Sequence, residues 1–153
     1  MNKQILKLLI KNIAWLFALA IFFMLDRFLK LLALNSSERI LIPNLLNFNF
    51  VPNYNIAFSL PVSGWYLNVI ITLIIGAIIY FWATNYNRLT TIESISFFGI
   101  LLGAISNLLD RFQYGFVIDY LDLRWFTIFN FADVLISCCS LVLLLSLIKK
   151  DSK

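Results

Sequence analysis

Histidine is missing altogether from this chain of 153 residues, and charge is scarce, with Asp, Glu, Lys and Arg together making up only 13%. Without an imidazole, no serine or cysteine nucleophile can be activated in the usual way, and no histidine can act as general base. Cysteine occurs only as the adjacent pair Cys138 and Cys139, inside an apolar run. A zinc centre needs more thiols or imidazoles than that, so no metal is expected and the two thiols should pack as small hydrophobes. Internal repeats, low-complexity tracts and linkers are also lacking, which predicts a single domain over residues 1–153.

What is present is apolar. Hydrophobic residues make up 61% of the chain and the mean hydropathy is +0.89. A soluble domain of this size has too small a core to hide that much surface, so the composition points to a membrane protein. The net charge of +4 raises nucleic acid as a partner. However, the lysines gather at Lys3, Lys7 and Lys11 and again at Lys149, Lys150 and Lys153, as the flanks of membrane spans do. Lipid is the expected partner and nucleic acid is not.

Four apolar stretches predict transmembrane helices over approximately 13–34, 62–84, 93–110 and 127–148, each near the roughly 20 residues that cross a bilayer core. The first, with its lysines and Ala18-Leu19-Ala20, has some look of a cleavable leader. Cleavage there would leave too short an apolar segment before it and more apolar sequence after it, so the span is expected to be retained. Basic residues mark the cytosolic side, which puts both termini there and the segments 35–61 and 111–126 outside. The outer segments are rich in Val, Ile, Tyr, Trp and Phe or in turn-forming Pro and Asn, which predicts short strands and turns. The fold class is therefore an all-α polytopic membrane protein with a small extracytoplasmic β-platform, Trp65, Tyr66 and Trp125 lying near the interface.

A carboxylate near lipid is costly, and this chain keeps several. Measured from the cytosolic edge, Lys11 to Asp26 spans about 22 Å, Glu93 to Asp110 about 25 Å and Lys149 to Asp133 about 24 Å at 1.5 Å per helical residue. Three spans thus bring acids to one level, near the outer boundary of a core about 30 Å thick. Asp26 and Lys30 stand at i, i+4 and can pair, either as a helix-stabilising pair with Lys30 reaching outward to water or as support for a substrate. Arg27 points elsewhere on that helix, toward headgroups or solvent. Asn107, Asp110 and Arg111 share a face. Asp110 or Asn107 can hold Arg111, or Arg111 can donate to a substrate carbonyl. Asn130 and Asp133 share another face; Asn130 can cap the fourth helix, whereas Asp133 is expected inside the span, beyond a cap. Asp119, with Asp122 as its competitor on spacing, comes from the preceding loop to complete a carboxylate pair. Two close carboxyls share a proton, so the charged one can activate water while the protonated one polarises a peptide carbonyl, with no metal or cofactor.

The ordered motifs carry a resemblance over nearly the whole chain. Asp26-Arg27-Phe28-Leu29-Lys30 matches D-x-x-x-K, and Asn53-Tyr54-Asn55-Ile56-Ala57-Phe58-Ser59 resembles N-x-G-x-A-F-S. Gly103-Ala104-Ile105-Ser106-Asn107-Leu108-Leu109-Asp110-Arg111, continuing through Gly115 to Asp119, resembles G-A-x-G-N-x-x-D-R … G-x-V-x-D, and Phe129-Asn130-Phe131-Ala132-Asp133 matches F-N-x-A-D. The chain in this way resembles the lipoprotein signal peptidase family. The resemblance implies an aspartic endopeptidase of the bacterial cytoplasmic (inner) membrane that removes signal peptides from diacylglyceryl-modified prolipoproteins, cutting before the lipidated cysteine. It implies Asp119 and Asp133 as catalytic, Asn53, Asn107, Arg111 and Asn130 as substrate-binding or dyad-orienting, and Asp26, Lys30 and Asp110 as polar support. Sensitivity to globomycin-type inhibitors is also implied, and a monomer would suffice. Asn55 and Ser106 depart from the family, which commonly has glycine at both; Ser106 is small enough for close helix packing. The rival reading is a small cation- or proton-conducting transporter subunit built on Asp26, Asp110 and Asp133.

Overall fold

The computed structural model describes residues 3–54 and 64–151. In chain order it contains α1 (Lys3–Leu34), β1 (Arg39–Ile42), β2 (Leu46–Asn53), α2 (Trp65–Asn85) with a 3-10 turn at Tyr86–Arg88, α3 (Thr91–Tyr114), β3 (Val117–Leu123), β4 (Ile128–Phe129) and α4 (Phe131–Asp151). Three of the helical segments, Trp65–Arg88, Thr91–Tyr114 and Phe131–Lys150, are long and apolar enough to cross a membrane. Large apolar side chains such as Phe17, Leu73, Tyr80 and Leu144 lie exposed on the helices, as lipid-facing residues do.

Local sequence explains the helix ends. Thr90-x-x-Glu93 forms a capping box, in which the Thr90 hydroxyl accepts from the Glu93 amide and the Glu93 carboxylate accepts from the Thr90 amide. The start of α3 therefore falls two residues before the expected position of 93, and Glu93 is buried there, its second oxygen accepting from Ser146 of α4. The helix stops at Gly115, whose φ of 82° is the left-handed conformation that glycine adopts at a helix end. At the other boundary α4 starts at Phe131 instead of 127, because Ile128 and Phe129 pair with β3.

The strands form one antiparallel sheet in the order β1-β2-β3-β4. The segments 35–61 and 111–126 thus both supply strands, as their aromatic and β-branched pattern predicts. A turn with Asn44 at φ 60° joins β1 to β2. Pro52 sits in β2 opposite Ile118, past the stretch paired to β1, so that part of β2 is paired on one side only. The sheet rests on α1 through a core of Ala33, Phe48, Ile118 and Tyr120.

Two glycines set the spacing of α3 and α4. A Cβ at Gly99 would come within 2.3 Å of the Cys139 Sγ, and one at Gly103 within 2.7 Å of the Ala132 carbonyl oxygen. Cys139 therefore fills a glycine notch as a small hydrophobe, while Cys138 is exposed. The same close approach carries the first turn of α4 toward Asn107.

Candidate active site

Asp119 is buried in β3, and Asp133 lies in the first turn of α4. Asn130, the residue just before α4, bridges them. Its side-chain Nδ2 donates to Asp119 Oδ1 at 2.7 Å, and its Oδ1 accepts the Asp133 amide at 2.9 Å. In return Asp133 Oδ2 accepts the Asn130 amide at 3.2 Å, which completes a second capping box. Asp133 is therefore not beyond the cap, as the span boundary predicted. It occupies the N3 position of the cap itself, because β4 shortens the helix at its start.

The other carboxylate oxygens are held as well. Asn53 Nδ2, at the end of β2, donates to Asp119 Oδ2 at 2.9 Å, and Asn107 Nδ2 donates to Asp133 Oδ1 at 2.8 Å. Asp122 does not compete for this place. Three residues along the same strand, its side chain emerges from the opposite sheet face. Burial, with the nearby Asp133 charge adding to it, pushes the Asp119 carboxyl up to about 7; the Asn53 and Asn130 hydrogen bonds and the Lys30 charge oppose that rise.

Behind the pair lies a buried polar network. Lys30 is fully buried and its Nζ contacts Asp26 Oδ2 at 3.0 Å, Asp110 Oδ2 at 2.7 Å and Asn107 Oδ1 at 2.8 Å. The predicted i, i+4 pair with Asp26 forms, but Lys30 turns inward instead of reaching for water, since two carboxylates and an amide wait for it there. Arg27 corrects a further expectation. It does not point to headgroups or solvent; its Nη1 pairs with Asp110 Oδ1 and donates to the Ser106 carbonyl at 3.2 Å. With Asp110 committed to Arg27, Lys30 and the Ile118 amide, Arg111 is held by the Asn107 carbonyl, and its charge faces Asp133, Asp119 and Asp110.

Asp26, Asp110 and Asp133, the acids at a common calculated depth, thus meet in one network. Two of its members escape a sequence reading. Ser106, weighed only for its size, donates to Asp26 Oδ2 at 2.6 Å. Tyr120 reads as one more strand aromatic, yet its hydroxyl lies 3.0 Å from Asp26 Oδ1. Asn55 falls outside the described residues. Trp65 and Trp125 are strongly exposed and Tyr66 less so, with exposures of 77%, 82% and 46%.

Helices of spanning length joined to a small sheet, with buried acids at the junction, define a multi-pass membrane protein with an enclosed polar site. The same fold is found in two solved bacterial membrane enzymes, one with a TM-score of 0.79 at 23% identity over 91% of this chain and 90% of that one, the other with a TM-score of 0.75. The family model described as signal peptidase (SPase) II matches residues 18–149, and the chain belongs to that family. The lipoprotein signal peptidase of Syntrophomonas wolfei is 40% identical over 135 residues, covering 84% of this chain and 88% of that protein. That of Haemophilus influenzae strain Rd is 32% identical over 149 residues, covering 91% and 86%.

Proposed function

We propose that the chain works as a signal peptidase II, an aspartic endopeptidase that removes signal peptides from diacylglyceryl-modified prolipoproteins by cutting before the lipidated cysteine. Family membership supports the activity. The single observation that carries the assignment of residues is the grip of Asn130 on both Asp119 and Asp133.

In this reading Asp119, with its carboxyl raised to about 7, holds the shared proton. Asp133 is the charged member, and the two N–H donors on its oxygens offset part of the cost of burying that charge. Water between them loses a proton to Asp133 and adds to the scissile carbonyl carbon, while Asp119 gives its proton to the carbonyl oxygen. Collapse of the tetrahedral species breaks the C–N bond: the proton on Asp133 passes to the leaving amine, and one hydroxyl of the gem-diol returns its proton to Asp119 as the new carbonyl forms, which restores the pair. Asn53, Asn107 and Asn130 orient the acids, and Arg111 offers its fork to a substrate carbonyl. Asp26, Lys30 and Asp110 hold the frame.

We further read α1 as a fourth span, its three charges satisfied by neighbours, with both termini cytosolic and the sheet on the outer face of the cytoplasmic membrane. One domain, acting as a monomer and sensitive to globomycin-type inhibitors, completes the proposal. A gel-shift assay with a diacylglyceryl-prolipoprotein tests it. Asp119→Asn and Asp133→Asn should each insert normally and leave the precursor uncut, and cleavage at the wild-type rate by either would remove that residue from the chemistry. The transporter alternative draws no support from the family match, and polar groups gathered at one junction do not make a pathway across a bilayer.

A further inference from the structure

An α-helix begins with backbone amides that lack partners within the helix. In α4 the first three are each met by a side chain, and each from a different place. The Phe131 amide donates to the Tyr120 hydroxyl at 3.0 Å, the Ala132 amide to Asp26 Oδ1 at 3.1 Å, and the Asp133 amide to Asn130 Oδ1 at 2.9 Å. Tyr120 adds a second link, since its hydroxyl donates to the same Asp26 oxygen at 3.0 Å. It follows Asp119 directly in β3 and is fully buried, its ring packed 5.5 Å from that of Phe48.

From this we infer that Tyr120 is a positioning residue for the acidic pair: its hydroxyl ties the first turn of α4, which carries Asp133, to the strand that carries Asp119. The tie is short, running from the Asp119 backbone through one rigid ring to the Phe131 amide, two residues before Asp133. Burial and the neighbouring Asp26 charge push the phenol well above its ordinary value, so the hydroxyl keeps the proton that it donates to Asp26. Phenylalanine would fill the same space and supply neither bond. The inference deepens the proposed peptidase reading and rests on it.

The experiment compares wild type, Tyr120→Phe, Phe48→Leu and Asp119→Asn in cleavage of a diacylglyceryl-prolipoprotein, with kcat and KM measured separately on folded enzyme. Amide exchange over residues 131–133 is followed in parallel. Tyr120→Phe should lower kcat about tenfold with KM within about twofold, and speed exchange in the first turn of α4 about tenfold. Phe48→Leu disturbs the same core but keeps both hydroxyl bonds, so it should lower the melting temperature without that loss of kcat. Wild-type kcat in Tyr120→Phe beside an inactive Asp119→Asn would overturn the positioning role and leave the peptidase reading standing. A loss of kcat shared equally by Phe48→Leu would overturn it too, since packing alone would then account for the effect. Activity in Asp119→Asn would remove the pair and the positioning role together.

Discussion

Asp119 is a carboxyl whose proton is worth more in the folded chain than in the unfolded one, rising from 3.8 to about 7. Between those values the native state holds a proton that the unfolded state has released. The stability this group contributes is therefore complete below about pH 4, declines as pH rises toward 7, and is flat beyond, a change of at most about 4 kcal/mol. Thermal unfolding in detergent should show this slope in wild type and its loss in Asp119→Asn, whatever the offset between the two curves. On the proposed mechanism activity should likewise fall as pH rises past about 7, where Asp119 gives up the proton it would donate, and a profile still climbing at pH 9 would argue against Asp119 as donor. Lys30 makes a second test. Lys30→Met leaves Asp26 and Asp110 buried beside a methyl group and should cost about 3–5 kcal/mol, more than Arg27→Gln, after which Asp110 keeps its Lys30 pair. The acids were legible in the sequence because charge in an apolar chain is rare enough to stand out. Arg27 and Tyr120 were not, since helical spacing sent the first away from Lys30 and composition disguised the second as a strand aromatic. Their partners lie 83 and 94 positions away, beyond any local pattern.

The kind of each element is legible in the sequence, its extent less so. Apolar runs located α2, α3 and α4, and the Val, Ile and aromatic pattern located the sheet. The ends moved by a few residues wherever a cap or a ladder bond outranked hydropathy, at Thr90 for α3 and at Phe129 for α4. That shift of four positions matters chemically, because it makes Asp133 part of a cap. Gly103 is the element-scale prediction. A methyl group there meets a backbone oxygen and Ile136 at 2.7 Å, and a backbone cannot swing aside as a side chain does. Gly103→Ala should push the first turn of α4 away from Asn107, lowering kcat at least tenfold and destabilising the fold by about 1–3 kcal/mol. Gly76→Ala in α2 meets nothing within 4 Å and should be silent or slightly stabilising in the same assays.

Across the whole molecule, α1 is the element on which topology turns. It carries Asp26, Arg27 and Lys30, yet each finds a partner, so the helix presents satisfied charge to its neighbours and exposed Phe17, Ile21 and Phe28 outward. If it spans, reporter fusions at residue 1 and residue 153 should both report cytosol, and a reporter in the turn at Asn44 should report the opposite side; a split result at the two ends would reduce the crossings to an odd number. The first turn of α4 has a consequence for biogenesis. Its amides are caught by side chains from α1 and β3 as well as from its own leading residue, so a fragment lacking α1 or β3 leaves the Phe131 and Ala132 amides without these partners. A nascent copy still threading through the insertion machinery carries both acids but not their alignment. Proteolytic competence would then arrive only with the last helix, which spares the half-made enzyme and its neighbours in the bilayer from premature cutting.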